Sequence, residues 1–415
     1  MSEYYDALEI RSPQEREAAL MAALPVHIAH AQAHSPAFAS ILAGVDASSI
    51  ASRAALAQLP VTRKYELLAQ QQAQRSSTPF GGFNTQPFGA HMPRVFASPG
   101  TIYEPEGQRP DYWRMARAIY AAGFRTGELI HNCFSYHFVP AGSMMETGAH
   151  ALGCTVFAGG TGQTEQQVQA MSELRPAGYI GTPSFLKLIV EKAQSMGIAL
   201  PSVRKALVSG EAFPPSLRNW LQTYGIAAYQ CYATADLGLI AYETSAREGL
   251  VVDEHVIVEI VRPGTGDPVS EGEVGELVIT SLNPDYPLIR FGTGDLSAIL
   301  PGACPTGRTN VRIKGWMGRA DQTTKVRGMF VHPSQVAEVI KRFPQAGKAR
   351  LVVSGAMAND SMVLMVESTE TSAGLAQLIG DTVRDVTKLR AEVQLVSPGS
   401  LPNDGKVIED ARSYA

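Results

Sequence analysis

The sequence is poor in cysteine and has no long apolar run. Its four cysteines, Cys133, Cys154, Cys231 and Cys304, lie far apart in the chain, which excludes a CxxC redox motif and a compact zinc knuckle. We expect each of them to be a small buried hydrophobic side chain. No apolar segment approaches the roughly 18 residues that span a bilayer, and the N-terminal sequence MSEYYDALEI lacks the apolar stretch of a signal peptide. A cytoplasmic protein with no membrane partner is therefore expected.

The sequence also lacks a strong excess of either charge. Its formal net charge is -4 at pH 7, with 18% charged and 45% hydrophobic residues. The molecule as a whole therefore has no electrostatic reason to bind nucleic acid or an anionic membrane. This composition is that of a globular enzyme rather than of a disordered chain. Because 415 residues are too many for one hydrophobic core, we expect two or three core-forming units.

Alternating strand and helix patterns predict an α/β fold. Residues 12–15 form a capping box with proline at the first helical position, and the alanine-rich run that follows favours a helix up to Pro25. Farther along, helical patterns of about 10–15 residues alternate with short apolar segments, which is typical of a largely parallel sheet. The predicted strands are 154–159, 205–210 and 227–232, and the predicted helices are 110–122, 184–196 and one that begins at Thr164.

The pattern changes after Val251. The segments VIVEIV and GELVITSL, separated by a turn at residues 263–266, indicate antiparallel strands. From about residue 321 a smaller α+β unit is predicted, with RLVVSG and SMVLMVES as strands and residues 374–389 as a helix. The expected fold class is therefore α/β, with mixed sheets flanked by helices in the larger part of the chain.

Three loops that follow predicted strands carry groups suited to a nucleotide. Loop 97–101 combines hydroxyls with a glycine, so its donors could approach phosphate oxygens. It lacks the lysine of a Walker A motif, and an ordinary turn is the simpler explanation of this segment alone. Loop 209–215 places a carboxylate and an aromatic ring where open α/β sheets bind ligands, although a plain polar loop is equally consistent. Loop 232–236 ends in Asp236, and Mg²⁺ prefers carboxylate and phosphate oxygens.

Three further segments lie nearer the C-terminus. Asp295 follows a double-glycine turn and could accept hydrogen bonds from both ribose hydroxyls or form an Asx-turn. Segment 318–328 is dense in charge where the pattern changes, which favours a hinge or a solvated linker. Lys406 stands in a Pro/Gly loop, where a lysine is normally just exposed.

The order and spacing of these segments resemble the adenylate-forming superfamily of acyl-CoA synthetases, adenylation domains and luciferases. Within it, the chain is most similar to the phenylacetate-CoA ligase family. The resemblance runs nearly from end to end of the chain. It is carried by LPVTRKYEL, SPGT, GTPSFL, VSGEAFPPSLR, YATADLG, GEVGELVIT, YPLIRFGTGDLS, GRADQTTKVRG, VHPSQV and LPNDGK.

This resemblance implies an ATP-dependent enzyme that ligates a carboxylic acid to coenzyme A through an acyl-adenylate. It implies a large N-terminal adenylation domain at 1–318, a hinge at 319–321 and a small mobile α+β lid domain at 322–415. The implied small-molecule partners are the acid, ATP and coenzyme A, with Mg²⁺ as cofactor. The residues implied to bind ATP or AMP are Ser98, Gly100, Thr101, Gly210, Glu211, Ala212, Tyr232, Ala233, Thr234, Asp295 and Arg319.

The resemblance also implies roles in catalysis. Asp236 would help to hold Mg²⁺, and Lys406 would contact the carboxylate and the α-phosphate during adenylation. Asp321 would be the residue about which the small domain rotates. Rotation would remove the lysine and bring Lys325 and Gly328 to the coenzyme A thiol for the second step.

The phosphate loop departs from the family pattern. Relatives usually have S-S-G-T-T-G-K-P, whereas residues 98–105 of this chain are S-P-G-T-I-Y-E-P. An acid, Glu104, therefore replaces the lysine, and the loop is poorer in donors and in positive charge. Asp236 also stands where relatives have a glutamate, which is one methylene longer.

A zinc site found in some relatives is expected to be missing. Those relatives bind a structural zinc through cysteines and a histidine in the region that corresponds to residues 243–309. Cys304 is present here, but Thr306 replaces the next cysteine of the C-P-C-G pattern and Thr244 follows Glu243. We therefore predict no zinc.

The segment 131–138 falls where relatives line the acyl pocket. Its aromatic rings and histidines suit a planar, partly polar acid, so an aryl or arylacetic acid is the preferred substrate class. Packing of half of these side chains in the core is the alternative, and His137 as a catalytic base is a weaker hypothesis. The predicted substrate-binding residues are Phe134, Tyr136, His137 and Phe213.

Three functions stay open at this point. The first is an aryl-CoA ligase, and the second is an adenylating enzyme that passes the acyl group to a carrier-protein thiol or an amine. The third is a degenerate homologue that binds a nucleotide or an acid without ATP chemistry. Retention of Asp295, Arg319, Asp321 and Lys406 argues against the third. A homodimer is expected from the resemblance alone.

Overall fold

The first long helix begins where the sequence places it. The Ser12 side chain accepts a hydrogen bond from the Glu15 backbone N–H at 3.2 Å, and the Glu15 carboxylate accepts one from the Ser12 backbone N–H at 2.9 Å. The helix does not end at Pro25, as the sequence pattern suggests, but continues to His34. Core packing outweighs the hydrogen bond that the proline removes, because residues beyond it such as Ile28 are fully buried.

The computed structural model describes residues 3–262, 266–320, 322, 324–327, 329–331, 333–356, 359–402 and 407–412. It divides into two compact units, Met1–Met317 and Gly318–Ala415. The helices are α1 (Pro13–His34), α2 (Pro36–Ile41), α3 (Arg53–Leu56), α4 (Lys64–Gln74), α5 (Met115–Ala121), α6 (Ala141–Ala151), α7 (Thr164–Leu174), α8 (Pro183–Ser195), α9 (Pro215–Thr223), α10 (Pro333–Lys341) and α11 (Ala373–Thr387). Short 3-10 helices lie at Ala7–Ile10 and Ala47–Ser49. None of the described helices is long and apolar enough to cross a bilayer.

The strands form two large sheets and a hairpin in the first unit, and a sheet and a hairpin in the second. In the first unit they are β1 (Thr62–Arg63), β2 (Arg94–Ser98), β3 (Ile102–Glu106), β4 (Leu129–Asn132), β5 (Thr155–Ala158), β6 (Gly178–Gly181), β7 (Lys205–Val208), β8 (Ala227–Thr234), β9 (Gly238–Tyr242), β10 (Leu250–Val252), β11 (Val256–Val261), β12 (Gly275–Ser281), β13 (Phe291–Ser297), β14 (Ile299–Leu300) and β15 (Arg312–Ile313). In the second unit they are β16 (Thr324–Val326), β17 (Met329–Val331), β18 (Ala346–Ala356), β19 (Asn359–Ser368), β20 (Glu392–Val396) and β21 (Ile408–Asp410).

The largest sheet has the strand order β14-β15-β10-β9-β8-β7-β6-β4-β5. Strands β5, β4, β6, β7 and β8 run parallel to one another, and the remaining pairs, beginning with β8 and β9, are antiparallel. The α/β fold class with mixed sheets is therefore confirmed. The predicted helix at 110–122 is shorter, because Asp111 and Arg114 have positive φ values of 49° and 63° and helix α5 begins only at Met115.

The second sheet has the order β1-β13-β12-β11. Strands β11, β12 and β13 are antiparallel, as the pattern after Val251 predicts. Residues 263–265 of the predicted turn lie outside the described residues. The sequence did not indicate strand β1, which pairs parallel to β13 with Thr62 opposite Phe291. This pairing fixes the start of helix α4, which begins at Lys64.

The second unit is a small α+β fold. Its main sheet has the order β20-β19-β18-β21, with β18 and β19 antiparallel, and helices α10 and α11 pack against β18 and β20. The predicted helix at 374–389 is observed at Ala373–Thr387. Apolar side chains from both layers, including Val353, Leu364 and Ile379, form the core. The units meet at residues 317 and 318 of the chain, and a hinge at 319–321 stays a prediction.

Candidate active site

The parallel strands bring several predicted site residues to one edge of the large sheet. Strands β4, β6, β7 and β8 are mutually parallel, so the segments that follow them lie at the same edge. A side-chain carbon built on Gly210 would lie 3.6 Å from the Phe134 ring and 3.8 Å from the Thr182 methyl group. The ends of β4, β6 and β7 are therefore in close contact.

The segment after β7 is held on two sides. The Ser209 hydroxyl donates to the Cys231 carbonyl oxygen at 2.8 Å, and the Glu211 carboxylate accepts from the Ser184 backbone N–H at 2.6 Å. Gly210, between them, has a φ of 84°, a left-handed conformation that glycine adopts without strain. This predicted adenine segment is therefore fixed before any ligand binds.

The predicted ribose-binding carboxylate also has fixed partners. The Tyr232 hydroxyl donates to one oxygen of Asp295 at 2.6 Å, and the Trp316 indole N–H donates to the other at 3.1 Å. The Thr293 hydroxyl accepts from the Asp295 backbone N–H at 3.1 Å. Asp295 is nearly buried, so these neutral donors set its orientation. The structure thus brings together Tyr232 and Asp295, which the sequence assigns to the same nucleotide.

The predicted phosphate loop is the tip of the hairpin β2-β3. Gly100 and Thr101 have positive φ values of 95° and 61°, as a tight hairpin connection requires. Two contacts from other elements hold the tip. The Ala97 N–H donates to the Phe138 carbonyl at 2.8 Å, and the Arg75 guanidinium donates to the Thr101 carbonyl at 2.8 Å.

The acid that replaces the loop lysine is buried under the hairpin. Glu104 is fully buried, and its carboxyl group accepts hydrogen bonds from the Ser98 hydroxyl at 2.5 Å and the Ser98 N–H at 3.2 Å. Burial, and secondarily the negative charge of Asp236, raise the pKa of Glu104 to about 8. The carboxyl group is therefore mainly protonated near neutral pH and does not present a full negative charge to a bound phosphate.

A lysine from a different element lies close to the predicted metal ligand. The Lys64 ammonium group lies 2.6 Å from one oxygen of Asp236. The carboxylate side chain is almost completely buried, whereas the lysine side chain is 35% exposed. The pairing of β1 with β13 positions Lys64 at the first residue of α4. A positive charge is thus present near the hairpin even though the loop itself has none.

Asp236 has the chemistry of a Mg²⁺ ligand. Its second oxygen, Oδ1, is buried and accepts no hydrogen bond from the described residues. A buried carboxylate oxygen without a partner is costly unless a cation or water satisfies it. The described residues contain no group of three or more metal-ligating side chains. A single carboxylate such as that of Asp236 fits Mg²⁺, which binds through one or two carboxylates together with substrate phosphates and water.

The predicted acyl segment is partly core and partly surface. Phe134 is buried beside Gly210. The Asn132 amide donates to the Tyr136 hydroxyl at 2.8 Å, and this hydroxyl donates to the Glu146 carboxylate at 2.8 Å, so the half-buried tyrosine has a fixed orientation. His137 is exposed.

The phosphate loop and the end of the acyl segment share a cavity of about 380 Å³. Phe138, on its wall, is 81% exposed and has a φ of 62°, a conformation that bulky residues rarely adopt. The lining residues are Ala97, Ser98, Pro99, Gly100, Thr101, Tyr103, Phe138 and Val139. The cavity therefore lies between the predicted phosphate loop and the end of segment 131–138, and none of the four predicted substrate-binding residues lines it.

Other predicted residues lie farther along these segments. Ala212 is half-buried, and Phe213 is buried with the Arg218 guanidinium 4.5 Å from its ring. Ala233 and Thr234 are half-buried at the end of β8. Phe213 therefore belongs at least partly to the packing around helix α9.

Several predicted residues cannot be placed at this site. Lys406, Asp321 and Gly328 lie outside the described residues. Arg319 is half-buried and Lys325 is exposed, and both belong to the second unit. The Lys325 ammonium lies 5.8 Å from the Phe330 ring on the neighbouring strand. The roles of these five residues stay predictions.

The region where some relatives bind zinc is occupied by an arginine network. The buried Cys304 sulfur lies 3.1 Å from the Thr306 hydroxyl. That hydroxyl also accepts from the Arg308 guanidinium at 3.1 Å, and Arg308 forms an ion pair with Glu9 at 2.8 Å. The N-terminal segment is therefore attached to this loop by charge. That the chain binds no zinc stays a prediction.

Family models match both units of the chain. The model described as AMP-binding enzyme matches residues 112–283, and the one described as AMP-binding enzyme C-terminal domain matches residues 328–410. The first match contains the ends of β4, β6, β7 and β8, where the candidate site lies. The second covers most of the small unit.

Curated relatives give the family. A phenylacetate-coenzyme A ligase of Thermus thermophilus is 31% identical over 79% of this chain and 75% of its own length. The chain belongs to the phenylacetate-CoA ligase family. Ligases of the same name from Aromatoleum evansii and Escherichia coli are 30% and 29% identical over 82% and 97% of this chain, and over 78% and 95% of their own lengths. The protein is thus an AMP-forming acid–CoA ligase by class.

Solved structures support the fold. A 2-hydroxyisobutyryl-CoA ligase, crystallised with 2-HIB-AMP and CoA in the thioesterification state, matches with a TM-score of 0.80 and 24% identity, over 100% of this chain and 93% of its own. An amide bond synthetase from Marinactinospora thermotolerans matches with a TM-score of 0.54 and 18% identity, over 80% of this chain and 71% of its own. At these identities the likeness concerns the fold alone.

Sequence reasoning missed two residues of the candidate site. Lys64 stands in the segment LPVTRKYEL, but only the pairing of β1 with β13 reveals that it reaches Asp236. Trp316 belongs to no motif that the sequence analysis identified. Its hydrogen bond to Asp295 becomes visible only in the folded chain. The available signals for Lys64 were the family resemblance of LPVTRKYEL and a lysine at the first position of a helix, where positive charge is unfavourable.

Proposed function

We propose that this ligase activates an aryl or arylacetic acid with ATP and transfers the acyl group to coenzyme A. The supporting observation is that segment 232–236, at the end of β8, has a nucleotide-binding candidate at each of its ends. Tyr232, at one end, contacts the ribose candidate Asp295, and Asp236, at the other end, contacts Lys64. A nucleotide that lies along this segment would meet an acceptor for its ribose and then a cation for its phosphates.

In the proposed first step, a carboxylate oxygen of the acid attacks the α-phosphorus of ATP. The bond from the α-phosphorus to the bridging oxygen breaks, and pyrophosphate leaves with the electron pair. Negative charge gathers on the phosphate oxygens in the transition state, so preorganised cations lower its energy. Mg²⁺ bound at Asp236 would supply charge stabilisation of this kind.

We assign the protein's own positive charges in this step to Lys64 and Lys406. Lys64 would supply the positive charge of the lysine that the hairpin has lost, although it stands elsewhere in the sequence. Its ion pair with the nearly buried Asp236 holds the ammonium close to the candidate metal ligand. Lys406 would approach the carboxylate and the α-phosphate from the small unit.

In the proposed second step, the thiol of coenzyme A attacks the acyl carbonyl carbon as its proton is lost. The bond between that carbon and the phosphate oxygen breaks, and AMP leaves. The small unit would rotate about Asp321 between the steps, so that Lys406 withdraws and Lys325 and Gly328 approach coenzyme A. A rotation of this kind completes the second site only after the first reaction.

The aromatic side chains favour an aryl or arylacetic acid. Phe134 is buried at the contact between the strand ends, and Phe213 follows the predicted adenine segment. Tyr136 has its hydroxyl engaged with Asn132 and Glu146, so its ring edge can contact the acid in one orientation. The exposure of His137 favours a place at the rim of the pocket rather than a role as a base.

ATP–pyrophosphate exchange with a panel of aryl, arylacetic and short aliphatic acids tests this function. We expect exchange that depends on an aromatic acid and on Mg²⁺, and that collapses in the Lys406→Ala variant. Coenzyme A, a carrier-protein thiol and amines are then compared as acceptors of the adenylate. Preference for an aliphatic acid, or for an acceptor other than coenzyme A, would contradict the proposal.

We further propose that the protein is a cytoplasmic homodimer. The charge and composition suit a protein free in the cytoplasm, and the dimer is an expectation from the family resemblance. Light scattering at micromolar concentration is the test, and a monomer there would remove the dimer from the account.

A further inference from the structure

We propose that a second small-molecule site lies behind the phosphate hairpin and binds a small aryl carboxylate. The site is a cavity of about 360 Å³. It is lined by Arg75, Pro79, Phe80, Phe88, Val95 and Tyr103. These residues differ from those implied to bind ATP, the acid or coenzyme A.

The walls of the cavity are aromatic and accessible. Phe80 is buried, and the Phe88 ring lies 5.7 Å from it at an angle of 52°. Phe88 is 66% exposed and Val95 is 41% exposed, which leaves an apolar surface open on this side of the hairpin. Such exposed apolar side chains in a concave site are typical of ligand binding.

Arg75 carries the only charge among the lining residues. Its guanidinium lies 5.3 Å from the centre of the Tyr103 ring, and one terminal nitrogen donates to the Thr101 carbonyl at 2.8 Å. Its Nε is buried and has no hydrogen-bond partner among the described residues. The described residues also give Arg75 no carboxylate partner. A ligand carboxylate is the complement of this positive charge.

A matched arginine elsewhere shows what is unusual about Arg75. The Arg109 guanidinium lies at the same distance, 5.3 Å, from the Tyr112 ring. Arg109, however, has an ion pair with Asp285 at 3.2 Å. Both arginines cover a tyrosine, but only Arg109 has a carboxylate in the described part of the chain. The ligand carboxylate would take the place at Arg75 that Asp285 takes at Arg109.

A ligand in this cavity would contact the phosphate hairpin next to the cavity that Phe138 lines. Tyr103 lines both this cavity and the one that the loop shares with Phe138. Arg75 holds the Thr101 carbonyl at the hairpin tip, and Gln71 exchanges two hydrogen bonds with the Tyr103 backbone at 2.8 and 3.0 Å. A ligand on Arg75 would therefore restrain the tip and alter the KM for ATP. This effect on ATP rests on the proposed function, whereas binding does not.

Fluorine NMR with 4-fluorophenylacetate as the probe tests the site directly. The wild type is compared with Arg75→Gln, Phe88→Ser and the control Arg109→Gln. Because the probe belongs to the proposed substrate class, we expect, beside any signal from the active site, a bound signal whose affinity falls about tenfold or more in the first two variants and is unchanged in the control. 4-Fluorotoluene, which has no carboxylate, should not give this signal.

The proposal is overturned if the wild type shows no such signal at millimolar probe, or if Arg75→Gln and Phe88→Ser leave it unchanged. Equal binding of 4-fluorotoluene would overturn the assignment of a carboxylate ligand. Binding that passes these tests in a protein without ATP–pyrophosphate exchange would support the second site and count against the proposed function alone. If exchange is present, a second phase in its dependence on acid concentration should vanish in Phe88→Ser.

Discussion

The two ends of the candidate nucleotide site are built on different principles. At the ribose end, neutral donors from Tyr232 and Trp316 hold one carboxylate, that of Asp295, in a fixed orientation. At the phosphate end, three ionisable groups interact electrostatically: Glu104 under the hairpin, Lys64 of α4 and Asp236 after β8. The first end depends on shape, and the second depends on charges from three separate elements. The proposed role of Lys64 implies that a change in the hairpin is offset by a residue far away in sequence.

Removal of Lys64 should produce the largest effect, and it tests the phosphate end. We expect Lys64→Met to lower kcat for adenylation by about 10²–10³-fold, the typical cost of losing one preorganised charged donor. The KM for the acid should change much less. Lys187→Met is the matched control, because Lys187 is exposed and pairs with Glu191 on the surface of α8. Steady-state ATP–pyrophosphate exchange measures both variants.

An equal effect of Lys64→Met and Lys187→Met would break the comparison between the two ends. Loss of the native fold is excluded by far-UV circular dichroism and by a thermal unfolding curve. Lys64→Arg keeps the charge but changes its geometry. It should therefore retain more activity than Lys64→Met.

Removal of Asp295 tests the ribose end and should give the next largest effect. We expect Asp295→Ala to raise the KM for ATP by about 10–100-fold, since hydrogen bonds to charged groups contribute about 1.5–3 kcal/mol each. The kcat should change less than in Lys64→Met, because ribose contacts bind ground state and transition state alike. A fall in kcat with an unchanged KM would contradict the division between the ends.

Glu104→Gln tests the charge balance through pH. The folded pKa of about 8 lies above the ordinary value of 4.5, so between these values the unfolded chain loses a proton that the folded protein keeps. The unfolded state then binds fewer protons, and the free energy of unfolding falls as pH rises through this window. Without nucleotide and Mg²⁺, the glutamine variant should gain on the order of 1 kcal/mol or more relative to wild type between pH 5 and pH 8.

Urea unfolding of both proteins at the two pH values gives this difference. Glutamine keeps the size of the side chain and an oxygen that can accept from the Ser98 N–H. The packing under the hairpin should therefore be preserved. A constant difference between the two proteins at both pH values would mean that Glu104 does not keep its proton in the folded state.

Tyr232→Phe should give the smallest effect. It removes one donor from Asp295 but leaves the Trp316 indole in place. A single hydrogen bond contributes about 0.5–1.5 kcal/mol, so the KM for ATP should rise a few-fold with little change in kcat. Initial rates at varied ATP measure this, and a larger loss than in Asp295→Ala would mean that Tyr232 has a further role.

The sequence predicted the fold class, whereas the contacts within the candidate site could not be predicted from local patterns. A strand such as the one predicted at 205–210 can be recognised locally, because a short run of apolar residues forms it and a glycine ends it. The contact of Tyr232 with Asp295 could be anticipated only through family resemblance, since the two belong to different sheets. Pro25 was a misleading local signal, because burial of the residues after it decided the length of the helix.

The contact between Lys64 and Asp236 could not be predicted at all from local patterns. It depends on the short strand β1, whose two residues pair with β13 and leave no periodic signal. The departure of the hairpin from the family motif was visible in the sequence, but its consequence was not. The charge of Glu104 is set by burial, which a sequence does not display.

The central claim is that Lys64 supplies the phosphate charge that the hairpin lacks at residue 104. It is tested most directly by ATP–pyrophosphate exchange in Lys64→Met, Glu104→Lys and the double variant, each checked for native thermal unfolding. We predict that Glu104→Lys raises the exchange rate of the Lys64→Met protein by at least about tenfold, because it returns a positive charge to the hairpin. Equal losses from Lys64→Met with glutamate or lysine at residue 104 would contradict the claim.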